Sequence, residues 1–258
     1  MESIPPQVQA RPRARGIYLL PNLFTTGGLF AGFYSIIAAS QGHWADASIA
    51  VFVAAILDGV DGRVARLTNT QSEFGVQYDS LADLISFGLA PSMLMYHWAL
   101  AALRLDGPTP GKLGWAAAFL YAACAALRLA RFNSQVGQVD KRWFIGLASP
   151  AAAGLVVSFV WTCTSFGLGG EDLRYPALAV TVAAAILMVS RLRYFSFKGG
   201  GPRNDRVPFL ALLVAVAVLV AIAIDPPTVL LGITALYALS GPGYWVWRRL
   251  RRQPEVAG

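Results

Sequence analysis

Charge is the first thing this chain is short of: 14% of its 258 residues are Asp, Glu, Lys or Arg, against roughly 25% in a soluble globular domain. That deficit argues against an ordinary soluble enzyme. Cysteine is scarce as well, with Cys124 and Cys163 the two in the chain. Both lie inside apolar stretches, where a thiol packs as a small hydrophobe, so no disulfide framework is expected. Histidine is limited to His43 and His97. The sequence shows neither an internal repeat nor a low-complexity tract. Its first sixteen residues are too long and too Pro-rich for a signal-peptide n-region. An uncleaved first helix is expected, with the basic segment before it lying at a membrane surface.

What is abundant is apolar length. Hydrophobic residues make up 56% of the chain, and stretches close to twenty residues long recur from Ile17 to Trp247, as bilayer-crossing helices require. The expected fold is all-α, a polytopic membrane protein of about eight transmembrane helices. They are read at 17–40, 44–67, 74–99, 114–134, 148–167, 175–192, 207–224 and 227–247. These form one integral-membrane domain over 17–247, with a basic juxtamembrane segment at 1–16 and a basic tail at 248–258. Trp44, Trp98, Trp115, Trp245 and Trp247 fall at helix ends and read as interfacial anchors.

The 21 basic residues outnumber the 14 acids, giving a formal net charge of +7. Such an excess suits nucleic acid or an anionic membrane face, and position decides between them. With the N-terminus inside, the inner segments hold Arg11, Arg13 and Arg15, then Arg63 and Arg66, then Arg128, Arg131, Lys141 and Arg142. Arg191, Arg193, Lys198, Arg203 and Arg206 follow helix six, and Arg248, Arg249, Arg251 and Arg252 close the chain. Eighteen basic residues thus lie on one side and three, Arg104, Lys112 and Arg174, on the other. Both termini are expected in the cytoplasm, and no nucleic-acid partner is needed. The Arg248–Arg252 run reads as an anchor at anionic lipid.

Four of the acids stand close together, at Asp58, Asp61, Asp79 and Asp83. A carboxylate near a bilayer's centre costs on the order of 2.5–3.5 kcal/mol on insertion scales, so four together need a compensating charge. Asp58 and Asp61 are three apart on helix two; Gly75, Asp79 and Asp83 are each four apart on helix three. Each set therefore occupies one helical face. Helix two ends in its acids and helix three begins with its own, joined by a short turn around Thr68 to Ser72. Both sets then lie at one cytoplasmic depth. The apolar parts, Ile49 to Leu57 and Leu84 to Trp98, are too short to span alone, so the cluster sinks into a cavity open to the cytoplasm.

Clustered carboxylates with neither His nor Cys beside them describe an oxygen-ligand site for a hard divalent cation, Mg²⁺ or Mn²⁺. His43 and His97 fall near the outer face. Gly59, Gly62, Ala65 and Gly75 leave room for a bulky group against the helix backbones, and Arg66 supplies a cation suited to a phosphate oxygen. Together these suggest a nucleotide diphosphate held at the membrane surface. An acidic cluster between membrane helices also suits an ion-conducting or proton-relay site, but the Gly, Ala and Arg positions have no role there.

The pattern DxxDGxxAR, eight residues, GxxxDxxxD is filled without a gap by Asp58, Asp61, Gly62, Ala65, Arg66, Gly75, Asp79 and Asp83. It resembles the signature of the CDP-alcohol phosphotransferase family. Further stretches resemble the bacterial phosphatidylserine synthase branch: YLLPNLFTTGGLFAGF, SEFGVQYDSLADLISFGLAP, LRLARFN, GLASPAAAG and SRLRYFSFK. The likeness covers roughly residues 16 to 200, and the last two helices add little. In one departure the branch commonly reads Gly-Leu-Pro where this chain has Gly146, Leu147, Ala148.

The resemblance implies transfer of a phosphatidyl group from CDP-diacylglycerol to the hydroxyl of L-serine, with CMP leaving, in a bacterial inner membrane. Sister members use glycerol 3-phosphate, inositol or choline as acceptor. It implies that Asp58, Asp61 and Asp79 hold a divalent ion on the diphosphate, with Asp79 and Asp83 placed for a second. Gly62, Ala65, Arg66 and Gly75 would line the CDP-diacylglycerol pocket, and Asp83 would be the general base. A homodimer is expected from the resemblance alone. An amino-acid acceptor brings a carboxylate that should meet a cation; Arg128 or Arg131, with Asn133 nearby, would serve, or both are ordinary inside charge. Asn22 is either a polar break in helix one or a residue lining the site.

Overall fold

A computed structural model describes residues 19–68, 72–134, 143–195 and 209–251. The basic segment 1–16, the middle of the acidic helices' connecting turn, Lys141, Arg142, Lys198, Arg203, Arg206 and Arg252 lie outside them.

The apolar runs become helices: α1 (Leu19–Ser40), α2 (Trp44–Thr68), α3 (Glu73–Asp83), α4 (Ala90–Trp98), α5 (Pro108–Ser134), α6 (Ser149–Ser165), α7 (Arg174–Val189), α8 (Phe209–Ile224) and α9 (Pro226–Arg251). Between α3 and α4 the chain does not break. Leu84–Leu89 winds as a π-helical turn, and Leu100–Asp106 continues beyond α4 as 3-10 helix. The resulting rod, Glu73–Asp106, has 34 residues. At about 1.5 Å per residue that exceeds the ~30 Å hydrocarbon core of a bilayer.

The protein is therefore all-α and membrane-embedded. Helices Pro21–Ser40, Glu73–Asp106, Pro108–Ser134 and Pro226–Arg251 are long and apolar enough to cross a bilayer, and Ser149–Ser165, Arg174–Val189 and Phe209–Ile224 are shorter apolar helices. The helix α2 falls outside both groups because it carries Asp46, Asp58, Asp61, Arg63 and Arg66. Outward faces are apolar as well: Phe30, Ile56, Phe119 and Leu213 are all exposed, and α8 buries no residue. In a bilayer such faces meet lipid, so close packing rather than water exclusion holds the helices together.

Small residues make that packing possible where the site is built. The helices α1 and α2 run side by side, tied by Ser35 Oγ donating to the Ala47 carbonyl at 2.8 Å. At Gly32 a Cβ would stand 2.5 Å from Ser86 Oγ and 2.7 Å from Ser86 Cα, so α1 presses directly on the π-turn. Ser86 Oγ in turn donates to the Gly28 carbonyl at 3.1 Å. The core beyond this contact gathers Leu94, Met95, Leu100, Tyr121, Val156, Val157 and Met188. Both cysteines are buried and free.

Two short strands, β1 (Trp143–Ile145) and β2 (Arg193–Phe195), were not anticipated from sequence. They pair antiparallel with Phe144 opposite Tyr194. The strand β1 leads into Gly146, whose φ of +82° favours glycine. Its N–H donates to the Leu192 carbonyl at 2.8 Å, and Leu147 N donates to the Leu187 carbonyl at 2.9 Å. Ala148, the departure from Gly-Leu-Pro, has φ −62° and ψ 137°, the φ a proline ring would impose. The loop thus takes a proline-compatible shape without proline. Trp98 differs from its expected interfacial role: it is buried, edge-on to Phe159 at 5.8 Å.

Candidate active site

The acids of α2 and α3 converge because their connection is short and their spacing keeps each set on one face. Ser72 starts α3, its Oγ accepting from Gly75 N at 3.0 Å, an N-cap that fixes where the helix begins. Oxygens of Asp58, Asp61 and Asp79 all lie within 4.8 Å of one another. Asp83, one turn further along, lines the same narrow cavity, together with Thr25, Gly28, Ala54, Asp58, Asp61, Asp79, Ala82, Ser86 and Phe87. Among the described residues no cationic side chain lines it.

Three carboxylates so close repel one another when ionised, and burial strengthens the repulsion. A divalent cation between them removes it. The donor set, all oxygen and without His or Cys, fits Mg²⁺ or Mn²⁺. Asp61 is the most enclosed, at 5% exposure. Thr25 Oγ1 donates to its Oδ2 at 2.7 Å, which fixes the carboxylate's orientation as an outer-shell partner would.

Around this centre the other sequence candidates fall as follows. Gly62 and Arg66 are neighbours on α2, a Cβ at Gly62 standing 3.6 Å from Arg66 Nη1; Arg66 is exposed and Ala65 partly so. Gly75 faces Asn22, whose Oδ1 would be 3.4 Å from a Cβ there. Asn22 thus sits against the start of α3. Its neighbour Thr26 shares a 2.9 Å hydrogen bond with Tyr78 Oη. Asn133 Nδ2 donates to Ser80 Oγ at 2.9 Å, pinning the end of α5 beside Asp79.

The two arginines of α5 separate. Arg128 interacts electrostatically with Asp83, and its Nη1 donates to Ser149 Oγ at 2.8 Å. Its Nε is buried without a hydrogen-bond partner. Arg131 is half-buried, and like Arg128 it does not line the cavity. Sequence reasoning missed Thr25, Ser86 and Ser149. Thr25 and Ser149 stand within the YLLPNLFTTGGLFAGF and GLASPAAAG stretches, which was the available signal.

Comparison with known proteins places the chain in a family. The model of the CDP-alcohol phosphatidyltransferase family matches residues 18–191. A CDP-diacylglycerol--serine O-phosphatidyltransferase of Helicobacter pylori is 43% identical over 182 residues, covering 70% of this chain and 74% of the relative. Proteins of the same name from Bacillus subtilis and Mycobacterium tuberculosis are each 32% identical, the first over 69% of this chain and 91% of its own length, the second over 70% and 63%. Four acids on two helix faces around one cavity, within a stretch that matches the family model from α1 to the end of α7, make this chain a member of the CDP-alcohol phosphatidyltransferase family.

Proposed function

We propose that the protein transfers the phosphatidyl group of CDP-diacylglycerol to the hydroxyl of L-serine, giving phosphatidylserine and CMP. The observation that carries this reading is the single cavity lined by Asp58, Asp61, Asp79 and Asp83, in a chain whose relatives bear that activity in their names. The lipid's tails stay in the bilayer while its diphosphate reaches the acids, where soluble serine also arrives.

Asp58, Asp61 and Asp79 would hold the divalent ion, Mg²⁺ or Mn²⁺, and Asp79 with Asp83 offers oxygens for a second. Bound there, the metal would neutralise charge on the leaving diphosphate and lower the barrier to displacement. The chain's own groups do the rest. Asp83 takes the proton of the serine hydroxyl onto its carboxylate as that oxygen attacks phosphorus. The bond from phosphorus to the bridging oxygen of CMP breaks, and CMP departs. Arg66 meets a phosphate oxygen, and Gly62, Ala65 and Gly75 leave the cytidine room against the helix backbones. Arg128 receives the serine carboxylate, a role supported by its electrostatic interaction with Asp83 and by its buried Nε, which has no hydrogen-bond partner. Arg131 and Asn133 line the approach, and Asn22 borders the site through its contact with Gly75.

The proposal includes a single integral-membrane domain over 17–247 with all eight helices crossing, both termini cytoplasmic, in a bacterial inner membrane, and a homodimer. Purified protein given CDP-diacylglycerol, Mn²⁺ or Mg²⁺ and a panel of acceptors should release CMP with serine. Release only with glycerol 3-phosphate, inositol or choline would move the chain to a sister activity. Metal-dependent ion flux in liposomes without CMP release would replace the reading altogether.

A further inference from the structure

The rod presents Asp79, Ala82, Asp83, Ser86 and Phe87 to the acidic cleft, a three- and four-residue spacing that keeps them on one helical face. Ser86 and Phe87 belong to the π-turn. Asp83 is the residue before that turn, with helical φ −58° and ψ −43°, so the backbone passes from it into the turn without a break. Where its carboxylate points therefore depends on how Leu84–Leu89 is held.

Pro91 accounts for the wide winding. A proline in a helix has no N–H, and its ring meets the carbonyl four residues back, here that of Phe87. Widening the turn relieves the clash, and the Ala90 N–H reaches back to the Ile85 carbonyl instead. The Phe87 carbonyl is left without its ordinary helical donor, and a buried carbonyl needs a partner. Tyr121 of α5, fully buried, supplies one: its Oη donates to that carbonyl at 3.2 Å. Towards α1, Ser86 Oγ donates to the Gly28 carbonyl at 3.1 Å. Ser86, Phe87 and Gly28 all line the cleft with Asp83. The flanking helices also press close. Beside the contact of Gly32 with Ser86, a Cβ at Gly88 would stand 3.2 Å from the Ala125 Cβ of α5.

We infer that Ser86 and Tyr121 are positioning residues for Asp83: their hydroxyls clamp the π-turn between α1 and α5 and so hold the carboxylate towards the cleft. The inference rests on the reading of Asp83 as the general base. Both hydroxyls act through the backbone of the turn, not on the reacting atoms.

The test follows CMP release by the purified full-length protein with CDP-diacylglycerol, serine and Mn²⁺. Ser86→Ala and Tyr121→Phe each remove one hydroxyl and little volume. Each should lower kcat about three- to ten-fold, the scale of one hydrogen bond, with the KM for CDP-diacylglycerol within about two-fold. In Asp83→Asn, which has no base left to aim, adding Ser86→Ala should lower the residual kcat by less than about two-fold. A kcat of Ser86→Ala within about two-fold of wild type overturns the positioning role. So does a fall of equal size in the Asp83→Asn background, or a rise in the KM for CDP-diacylglycerol that matches the fall in kcat; either would assign the hydroxyl to general packing. Tyr121→Phe leaves the Phe87 carbonyl buried without its donor, and if that variant does not fold, Ser86→Ala and its cycle with Asp83→Asn carry the test alone. Near-normal turnover in Asp83→Asn by itself removes the base, and the positioning role with it. Lost turnover there beside an unaffected Ser86→Ala overturns the positioning role only.

Discussion

Thr25→Val is the most informative single substitution, because it alters one hydrogen bond and almost no volume. Thr25 and Asp61 are each 5% exposed. The hydroxyl has one proton and two acceptors in range, Asp61 Oδ2 at 2.7 Å and the Pro21 carbonyl at 3.1 Å; the shorter contact, to a carboxylate, takes the proton. Valine fills the same space with a methyl. A hydrogen bond to a charged group contributes about 1.5–3 kcal/mol, and each 1.4 kcal/mol is about a factor of ten. If that energy goes into orienting Asp61 as a metal ligand, the Mg²⁺ or Mn²⁺ concentration for half-maximal CMP release should rise by about 10- to 100-fold, the range expected for outer-shell partners. The assay is CMP release against metal concentration at saturating CDP-diacylglycerol and serine, with melting temperature followed in parallel. Thr25→Ser, which keeps the hydroxyl, should return the metal dependence to nearly that of the wild type. A metal requirement within two-fold of wild type in Thr25→Val, whatever the melting temperature does, would refute the assignment of Thr25 to the metal site.

Asp83→Asn should reduce turnover by at least about 10²-fold while CDP-diacylglycerol still binds, since the amide keeps the shape but accepts no proton; near-normal turnover would remove Asp83 as the base. Gly32→Ala pushes a methyl into Ser86 at the π-turn, and overpacking of this kind costs about 1–3 kcal/mol, to be read as a lower melting temperature; an unchanged one would mean α1 can yield there. Arg174→Ala breaks the pair with Asp106, whose Nε–Oδ2 distance is 2.6 Å and whose side chains are 27% and 23% exposed. Solvent screening keeps that loss small, and the loss should shrink as salt is raised.

Much of this architecture was legible because membrane helices announce themselves. Long apolar runs separated by Arg, Pro and Gly placed every helix within a few residues, apart from α5, which starts earlier than expected, at Pro108. The acidic centre was legible for a similar reason: carboxylates are rare in such segments, and their three- and four-residue spacings dictate a shared face. What stayed hidden depends on contacts between distant parts of the chain. Thr25 looks like any hydroxyl in a membrane helix until Asp61, 36 positions away, comes within 2.7 Å. Arg128 looks like inside charge until Ser149, 21 positions away, is seen beside it. Trp98 sits at a helix end as an anchor would, yet the packing of Phe159 takes it inside. The strands are three residues each, too short for alternation to register.

The π-turn after Asp83 sets the phase between the two ends of the rod. There the Ala90 N–H reaches back to the Ile85 carbonyl, five residues instead of four. One surplus residue offsets everything downstream by about 100° from an unbroken α-helix. Asp79 and Asp83 can therefore look into the cleft while Leu94 and Met95, on the same rod, look into the core. Straightening Leu84–Leu89 into ordinary α-helix at unchanged length would turn those two faces about 100° out of phase, so that either the acids or the apolar pair must turn away, whereas deleting one residue there would remove the surplus and leave the faces in phase. Within that stretch it is the wider winding, not the identity of each side chain, that keeps the two faces of the rod in phase.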